Sequence, residues 1–389
     1  MKKAFQFRIY PNKNQEVKLN RTLNTCRHLY NDALAERRRQ AELNNLCFSF
    51  QVFPWGKPEW IGYEDQANAL SDSKTSFQKE VFSQFLQDTL RRLDKTFKNF
   101  YRGFGYPRFK SRNRYTSFTY PQKGFEFKDG KLNLSKIGSI RIFQHREVEG
   151  AIKTCTIKKD TDQWYVVIIS EIEKRVEQVP VVTTVGIDLG LKSLITLSSG
   201  ELIEPPKFLG MSEKKLIRVQ RELSRKKKGS ANRKKQIIRV AKVHRKIRNQ
   251  RKDFAHKTSR TLVNNYDLIA FEKLNIRGMV QNHHLAKSIS DAGWYQLQTF
   301  ASYKAEWAGK NAEFVVPNGT SQECCICGNV EHLTLADRVF RCSRCGNVKD
   351  RDVNASKNIE NRAVGTDCAE LTPVESMQEQ LVEAGSPVL

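Results

Sequence analysis

Apolar and polar positions alternate from the first residues of the chain. Phe5, Phe7 and Ile9 are interleaved with Gln6, Arg8 and Tyr10, which predicts a strand that Pro11 ends. From Asn14 the period lengthens, and Val17, Leu19, Leu23, Cys26, Tyr30 and Leu34 recur near the helical spacing. A second amphipathic helix is clearer: Phe82, Phe85, Leu86, Leu90, Leu93, Phe97 and Phe100 share one face, and Gln84, Gln87, Asp88 and Arg91 lie elsewhere. Its apolar stripe reads as bundle core, and its polar face is where a partner would be met. Strand-like runs at 139–143, 152–157 and 164–169 predict a small β-barrel or sandwich completed by the N-terminal strand.

A new domain is predicted from Val181. VVTTVGIDLG is a buried strand with Gly186 and Gly190 around one acid, and LITLSSG reads as its hairpin partner. Residues 207–260 are helical, marked by Ile217, Leu223, Ile237, Ile238, Val243 and Ile247, with an interruption at KKKGSANRKK. YDLIAFEKL predicts another buried strand, ending at Glu272. A helix over 286–308, the strand AEFVVPN, a cysteine-bearing module and a last helix, DRDVNASKNIENRA, follow. No fixed-period repeat is visible.

Charge changes this picture more than composition does. At 389 residues, 39% hydrophobic and 28% charged, the chain reads as an ordinary multidomain globular protein. Its net charge of +25 argues against an enzyme of neutral small molecules and for a polyanionic partner, nucleic acid ahead of a membrane surface. Residues 207–260 hold 21 Lys or Arg against three acids, a net +18. A solvated face is the bland reading of such a run, but that many unpaired charges on a helical pair repel one another unless phosphates neutralise them. Lys226, Lys227, Lys228, Arg233, Lys234 and Lys235 are the densest group. Between 101 and 128 aromatics alternate with basic residues, Arg108, Lys110 and Arg112 among them, a mixture suited to stacking on bases and neutralising phosphates. A β-domain core with a basic exterior is the compatible alternative. After Arg362 there is no Lys or Arg, and 366–389 carries five acids, which predicts a disordered tail. No apolar run approaches the roughly 18 residues that spanning a membrane needs. The N-terminus lacks the apolar core of a signal peptide.

Two constellations carry chemistry. Cys324-x2-Cys327 and Cys342-x2-Cys345, each followed by Gly, lie fourteen residues apart. Four thiolates at that spacing make a closed, structural zinc site, and an iron centre has the same pattern. Cys325 is an alternative to Cys324, although the spacing and the following glycine favour Cys324. An odd total of nine cysteines, four of them spaced for a metal rather than for disulfides, implies a reducing, cytoplasmic compartment. The second constellation is acidic: Asp188 in GIDLG, Glu272 in AFEKL and Asp352 in DRDVNAS. An acid in an apolar strand is costly unless it is paired or bound to metal. Each alone has a structural reading as a cap. Together in a basic chain they suggest two magnesium ions acting on a phosphodiester.

GIDLG, a basic insert ending NQRKDFAHK, FEKL, TSQxCxxCG…CxxCG and DRDVNAxxN, in that order, resemble TnpB, the RuvC-like nuclease of bacterial and archaeal insertion sequences. FRIYPN and GYPRFKSR extend the likeness over roughly residues 3–364. The resemblance implies a multidomain α+β protein. Its parts would be a WED-like β-domain (1–10 and 116–178), a helical REC-like domain (11–115), an RNase H-like (RuvC) nuclease domain (179–318 and 349–364), a zinc module (319–348) and the acidic tail (365–389). It implies Asp188, Glu272 and Asp352 as catalytic, magnesium-binding acids and Cys324, Cys327, Cys342 and Cys345 as zinc ligands. Ser83, Gln84 and Gln87 on the polar face of the REC helix become candidates for reading a short transposon-adjacent motif. The partners implied are a guide RNA from the transposon end and double-stranded DNA, with one RNA on a monomer in a prokaryotic nucleoid. The function implied is an RNA-guided DNA endonuclease leaving 5′-phosphates. Alternatives are a guided regulator that does not cut, an unguided resolvase or transposase, and a zinc-ribbon binding protein without activity.

Overall fold

The computed structural model describes residues 1–52, 57–128, 130–173, 176–334 and 337–365. The chain divides into two compact units, Met1–Lys174 and Arg175–Leu389. The acidic segment 366–389 lies outside the described residues.

The first unit begins with strand β1 (Lys2–Tyr10) and helix α1 (Lys13–Phe50). Between them Asn12 closes a capping box: its side chain accepts from the Gln15 amide at 2.9 Å, and the Gln15 side chain accepts from the Asn12 amide at 2.9 Å. Then come α2 (Tyr63–Ser73), α3 (Ser76–Lys79), α4 (Ser83–Tyr101) and strands β2 (Ser117–Tyr120), β3 (Phe125–Lys128), β4 (Lys131–Leu134), β5 (Gly138–Phe143), β6 (Ala151–Asp160) and β7 (Gln163–Glu171). The strands form one antiparallel sheet in the order β2-β6-β7-β1-β5-β4-β3. β1 is thus central, and Phe5, Phe7 and Ile9 are buried on one face. They pack in one core with Leu19, Leu23, Cys26, Tyr30 and Leu34 of α1 and Phe85, Leu86, Leu90 and Leu93 of α4. Val17 differs from its expected burial, being exposed in the first turns of α1.

The second unit contains β8 (Thr184–Asp188), β9 (Ile195–Leu197), β10 (Leu202–Ile203), α5 (Phe208–Ser224), α6 (Ala231–Asn265), β11 (Leu268–Glu272), α7 (Ile276–Met279), α8 (Ala286–Ala292), α9 (Trp294–Trp307), β12 (Asn311–Val315), β13 (Val339–Arg341), β14 (Val348–Asp350) and α10 (Arg351–Gly365). The five-stranded sheet runs β10-β9-β8-β11-β12, with β11 parallel to both neighbours. Every residue of β11 is buried. Ile269 and Phe271 pack with Leu262 of α6 and Leu297 of α9, while Leu268 and Ala270 pack with Ile359 and Ala363 of α10. Covering both faces explains why this strand is a continuous apolar run. The helix expected over 286–308 is two helices, because Gly293 adopts φ +68 and redirects the chain between α8 and α9. α5 and α6 form the basic hairpin around Leu216, Val219, Val243 and Ile247, leaving Ile237 and Ile238 at the surface. Among the described residues no helix is long and apolar enough to cross a membrane.

Candidate functional site

The register of β8 on β11 pairs Ile187 with Phe271, so Asp188 and Glu272 are the next residues on adjacent parallel strands. Helix α10 completes the group. It lies so close to β8 that a Cβ on Gly186 would stand 1.9 Å from the Ser356 carbonyl oxygen and 2.5 Å from the Glu360 amide. That contact needs a glycine in GIDLG and brings the start of α10 to the strand ends. Burial first, then the charges of Glu272 and Asp352, push the Asp188 carboxyl up to about 7, with Arg351 acting against them. Burial also raises Glu272, partly offset by a hydrogen bond from Thr320 and by the charge of Arg362. The Thr320 hydroxyl donates to Glu272 Oε1, and the Gln298 side chain donates to the Glu272 carbonyl at 3.2 Å. Asp352 Oδ1 lies 3.4 Å from the Arg351 guanidinium.

Asp350 plays a different part. Its Oδ1 accepts from the amides of Asp352 at 2.9 Å and Val353 at 3.3 Å, so it caps α10 from an exposed position. Three carboxylates on rigid elements offer oxygen donors of the kind magnesium takes, and a cation among them would relieve the repulsion that adds to burial at Asp188.

The cysteine module hangs between β12 and α10. Cys324, Cys327, Cys342 and Cys345 hold their sulfurs within 4.8 Å of one another, with Cys324–Cys345 at 3.6 Å and Cys327–Cys342 at 3.5 Å. The two halves repeat one geometry. Gly328 N donates to Cys324 O at 2.9 Å and Gly346 N to Cys342 O at 3.0 Å, with both glycines at φ +71. Burial opposes ionisation of Cys324, but the amides of Cys327 and Ile326 pointing at its sulfur bring it down to about 6. Such a closed four-sulfur set suits zinc. Cys325 stands outside it, with its sulfur 3.8 Å from Lys349 Nζ and 3.9 Å from Asn347 Nδ2. Cys324 therefore occupies the position that spacing left open between the two.

The remaining candidates are scattered in character. Ser83 and Gln87 are exposed near the start of α4, and Gln84 is half-buried. Arg108 and Arg112 are exposed, whereas Lys110 is half-buried, its amide donating to Asn31 Oδ1 at 2.8 Å and its Nζ 5.7 Å from the Tyr30 ring. The aromatic-basic segment divides in two. Tyr101, Phe104, Tyr106 and Phe109 are exposed, while Tyr115, Phe118 and Tyr120 are core, so only the first part leaves its aromatic faces accessible. At the tip of the α5–α6 hairpin Lys226, Lys227, Lys228, Lys234 and Lys235 face solvent. Arg233 instead turns back, donating to the carbonyls of Leu223 at 2.9 Å and Lys226 at 3.2 Å, and closes the end of α5. Thr320 and Gln298 touch Glu272 without any periodic or charge signal, and Arg351 is one basic residue among many; only Thr320 and Arg351 sit inside a motif that the sequence had marked.

The sheet sets two carboxylates side by side and a helix start adds a third, while a separate module gathers four thiols that could hold a zinc ion. Family models match "Probable transposase" over 167–283, "Cas12f1-like, TNB domain" over 294–359 and "Helix-turn-helix domain" over 1–45. That last span here holds β1 and most of α1 and no second helix. A Streptomyces pristinaespiralis protein named "Putative RNA-guided DNA endonuclease" is 38% identical, covering 92% of this chain and 89% of its own. "Putative RNA-guided DNA endonuclease InsQ" of Escherichia coli (strain K12) is 33% identical, over 92% of this chain and 91% of its own. A solved structure described as "Cryo-EM structure of the Cas12f1-sgRNA-target DNA complex" aligns at 15% identity over 93% of this chain and 99% of that one, with a TM-score of 0.37. The chain belongs to the TnpB family of IS605-type transposons.

Proposed function

We propose that this chain is an RNA-guided endonuclease that cuts double-stranded DNA beside a short transposon-adjacent motif. The convergence of Asp188, Glu272 and Asp352 on one end of the sheet carries the chemistry, and the names of the two full-length relatives support the guided reading. In this reading the second unit is the RuvC-like nuclease with its zinc insert, and the first supplies the WED-like sheet and REC-like helices. Asp188, Glu272 and Asp352 would hold two magnesium ions, which when bound supply charge stabilisation at the attacking and leaving oxygens of the phosphodiester. The chain's own residues orient that site. β8 and β11 aim Asp188 and Glu272 in the same direction, the cap at Asp350 fixes the entry angle of α10, and Arg351 lies beside Asp352. The exposed lysines of the hairpin tip and the exposed aromatics of 101–109 are surfaces for RNA phosphates and unstacked bases. Retention of all three acids favours cleavage over a guided regulator that only binds.

Expression beside the native flanking DNA tests this. The protein should co-purify with RNA transcribed from the transposon end and cut DNA matching that RNA only when magnesium is supplied. Protein free of RNA that cuts a specific site would support the unguided alternative instead.

A further inference from the structure

Helix α10 carries a stripe at four-residue spacing, Asn354, Asn358 and Arg362, and all three side chains grip the segment leading into the cysteine module. Asn354 Nδ2 donates to the Glu323 carbonyl at 2.7 Å, and Asn354 Oδ1 accepts from the Cys325 amide at 3.1 Å. Asn358 Nδ2 donates to the carbonyls of Thr320 at 2.8 Å and Glu323 at 2.6 Å. Arg362 donates to the carbonyls of Val316 at 2.9 Å and Asn318 at 2.8 Å and to the Glu323 carboxylate at 2.7 Å. Asn354 and Asn358 are buried, so removing either side chain takes donors or acceptors from backbone groups that water does not readily reach.

The gripped segment touches the acid cluster at one point. Thr320 is 3% exposed, lies four residues before Cys324, and points its hydroxyl at Glu272 Oε1. The Pro317 carbonyl at 3.2 Å is the other acceptor within reach of its single proton. A hydroxyl that donates to one carboxylate oxygen leaves the second free to face a cation and stops the side chain from rotating.

We propose that Thr320 is the positioning residue for Glu272, and that α10 sets it through the Asn354–Asn358–Arg362 stripe, making the cysteine module a strut for the divalent site. This rests on the assignment of Asp188, Glu272 and Asp352 as that site. The position of the strut, not a direct contact with the bound ion, is what reaches Glu272.

The test uses the full, zinc-loaded chain and manganese as the probe ion, with free manganese read by electron paramagnetic resonance. Thr320→Val and Thr320→Ala should each weaken manganese binding about tenfold, the size usual for losing a residue that orients a ligand. Thr320→Ser should restore it to within about twofold, and zinc content should stay unchanged in all three. In a Glu272→Gln background Thr320→Val should have no further effect. Either hydroxyl-free variant that keeps its zinc and binds manganese like the parent overturns the proposal, as does a serine variant no better than valine. Asp188→Asn separates the two levels of inference. If it leaves manganese binding unchanged, the acid site itself is misassigned; if it abolishes binding while the threonine variants do nothing, only the strut fails.

Discussion

The four thiols and the three carboxylates are both clusters of acidic groups, and both meet α10, but the chain holds them in opposite ways. The four sulfurs are gathered within 4.8 Å by two local knuckles, each closed by its own backbone bonds. Among the described residues they are the one set of three or more such side chains drawn together that tightly. The three carboxylates stand wider, on two strands and a helix start separated by long stretches of sequence, and Asp188 is raised first by burial and then by the charges of the other two. The difference follows from chemistry. Thiols at neutral pH can share protons and crowd, whereas carboxylates crowd only when a cation or a proton separates them. A local site can be built tight before its metal arrives, and a dispersed acidic one is held apart by the scaffold and finished by its ions.

The largest effects should come from the dispersed site. Asp188→Ala, Glu272→Ala or Asp352→Ala should abolish magnesium-dependent cleavage in a guide-loaded assay while binding of RNA and DNA persists. Asp350→Ala should keep substantial activity, losing only a helix cap worth about 1 kcal/mol. An active Asp352→Ala protein beside an inactive Asp350→Ala one would reverse the assignment. The local site should fail differently. Cys342→Ser or Cys345→Ser should release about one metal ion per chain in elemental analysis, and Cys325→Ser should release none. Metal loss from Cys325→Ser would show that spacing and geometry chose the wrong neighbour.

Smaller effects probe how α10 joins the two. Gly186→Ala places a Cβ against the Ser356 carbonyl, so α10 must move; thermal melts should show destabilisation of about 1–3 kcal/mol. An unchanged melting temperature would mean that the close packing is dispensable. Weakest is a pH effect on the metal-free chain. Asp188 sits near 7 in the fold against an ordinary 3.8, so folding takes up a proton between those values. Stability should therefore fall as pH rises through that window and level off above it. Asp188→Asn should flatten the difference in melting temperature between about pH 5 and about pH 8, and a slope that survives the substitution would assign the proton elsewhere.

The same contrast explains what was legible in the sequence. The thiol set could be read because its ligands repeat within 22 residues. β1, β8 and β11 could be read because burial imposed alternation on the first and continuous apolarity on the others. Asp188 and Glu272 were marked by a charge in or at the end of an apolar run, a signal of cost rather than of position, and Asp352 by its place at the opening of the last helix. Sequence pattern missed α3, β3 and β4, which are four residues each and too short for any period to register. It also missed Thr320 and Gln298, whose importance lies in a single hydrogen bond across the fold. For Arg233 the charge is visible in sequence, but not that one guanidinium nitrogen also closes the end of α5.

The central place of β1 has a consequence for how the chain is made. Its neighbours β5 and β7 lie more than a hundred residues further along; Arg8 meets both Phe143 and Tyr165, and Ile9 both Ile142 and Trp164. During synthesis this strand emerges long before either partner, with Phe5, Phe7 and Ile9 on one face and both edges open to any other extended segment. Lys3 precedes Phe5 on that face, and Lys2, Gln6 and Arg8 make the opposite face polar, so these residues act as gatekeepers against premature pairing. Gln6→Val with Arg8→Val should accordingly lower the soluble fraction on expression far more than it lowers the melting temperature of the protein that does fold. Equal soluble yields would mean that the waiting strand is shielded in some other way.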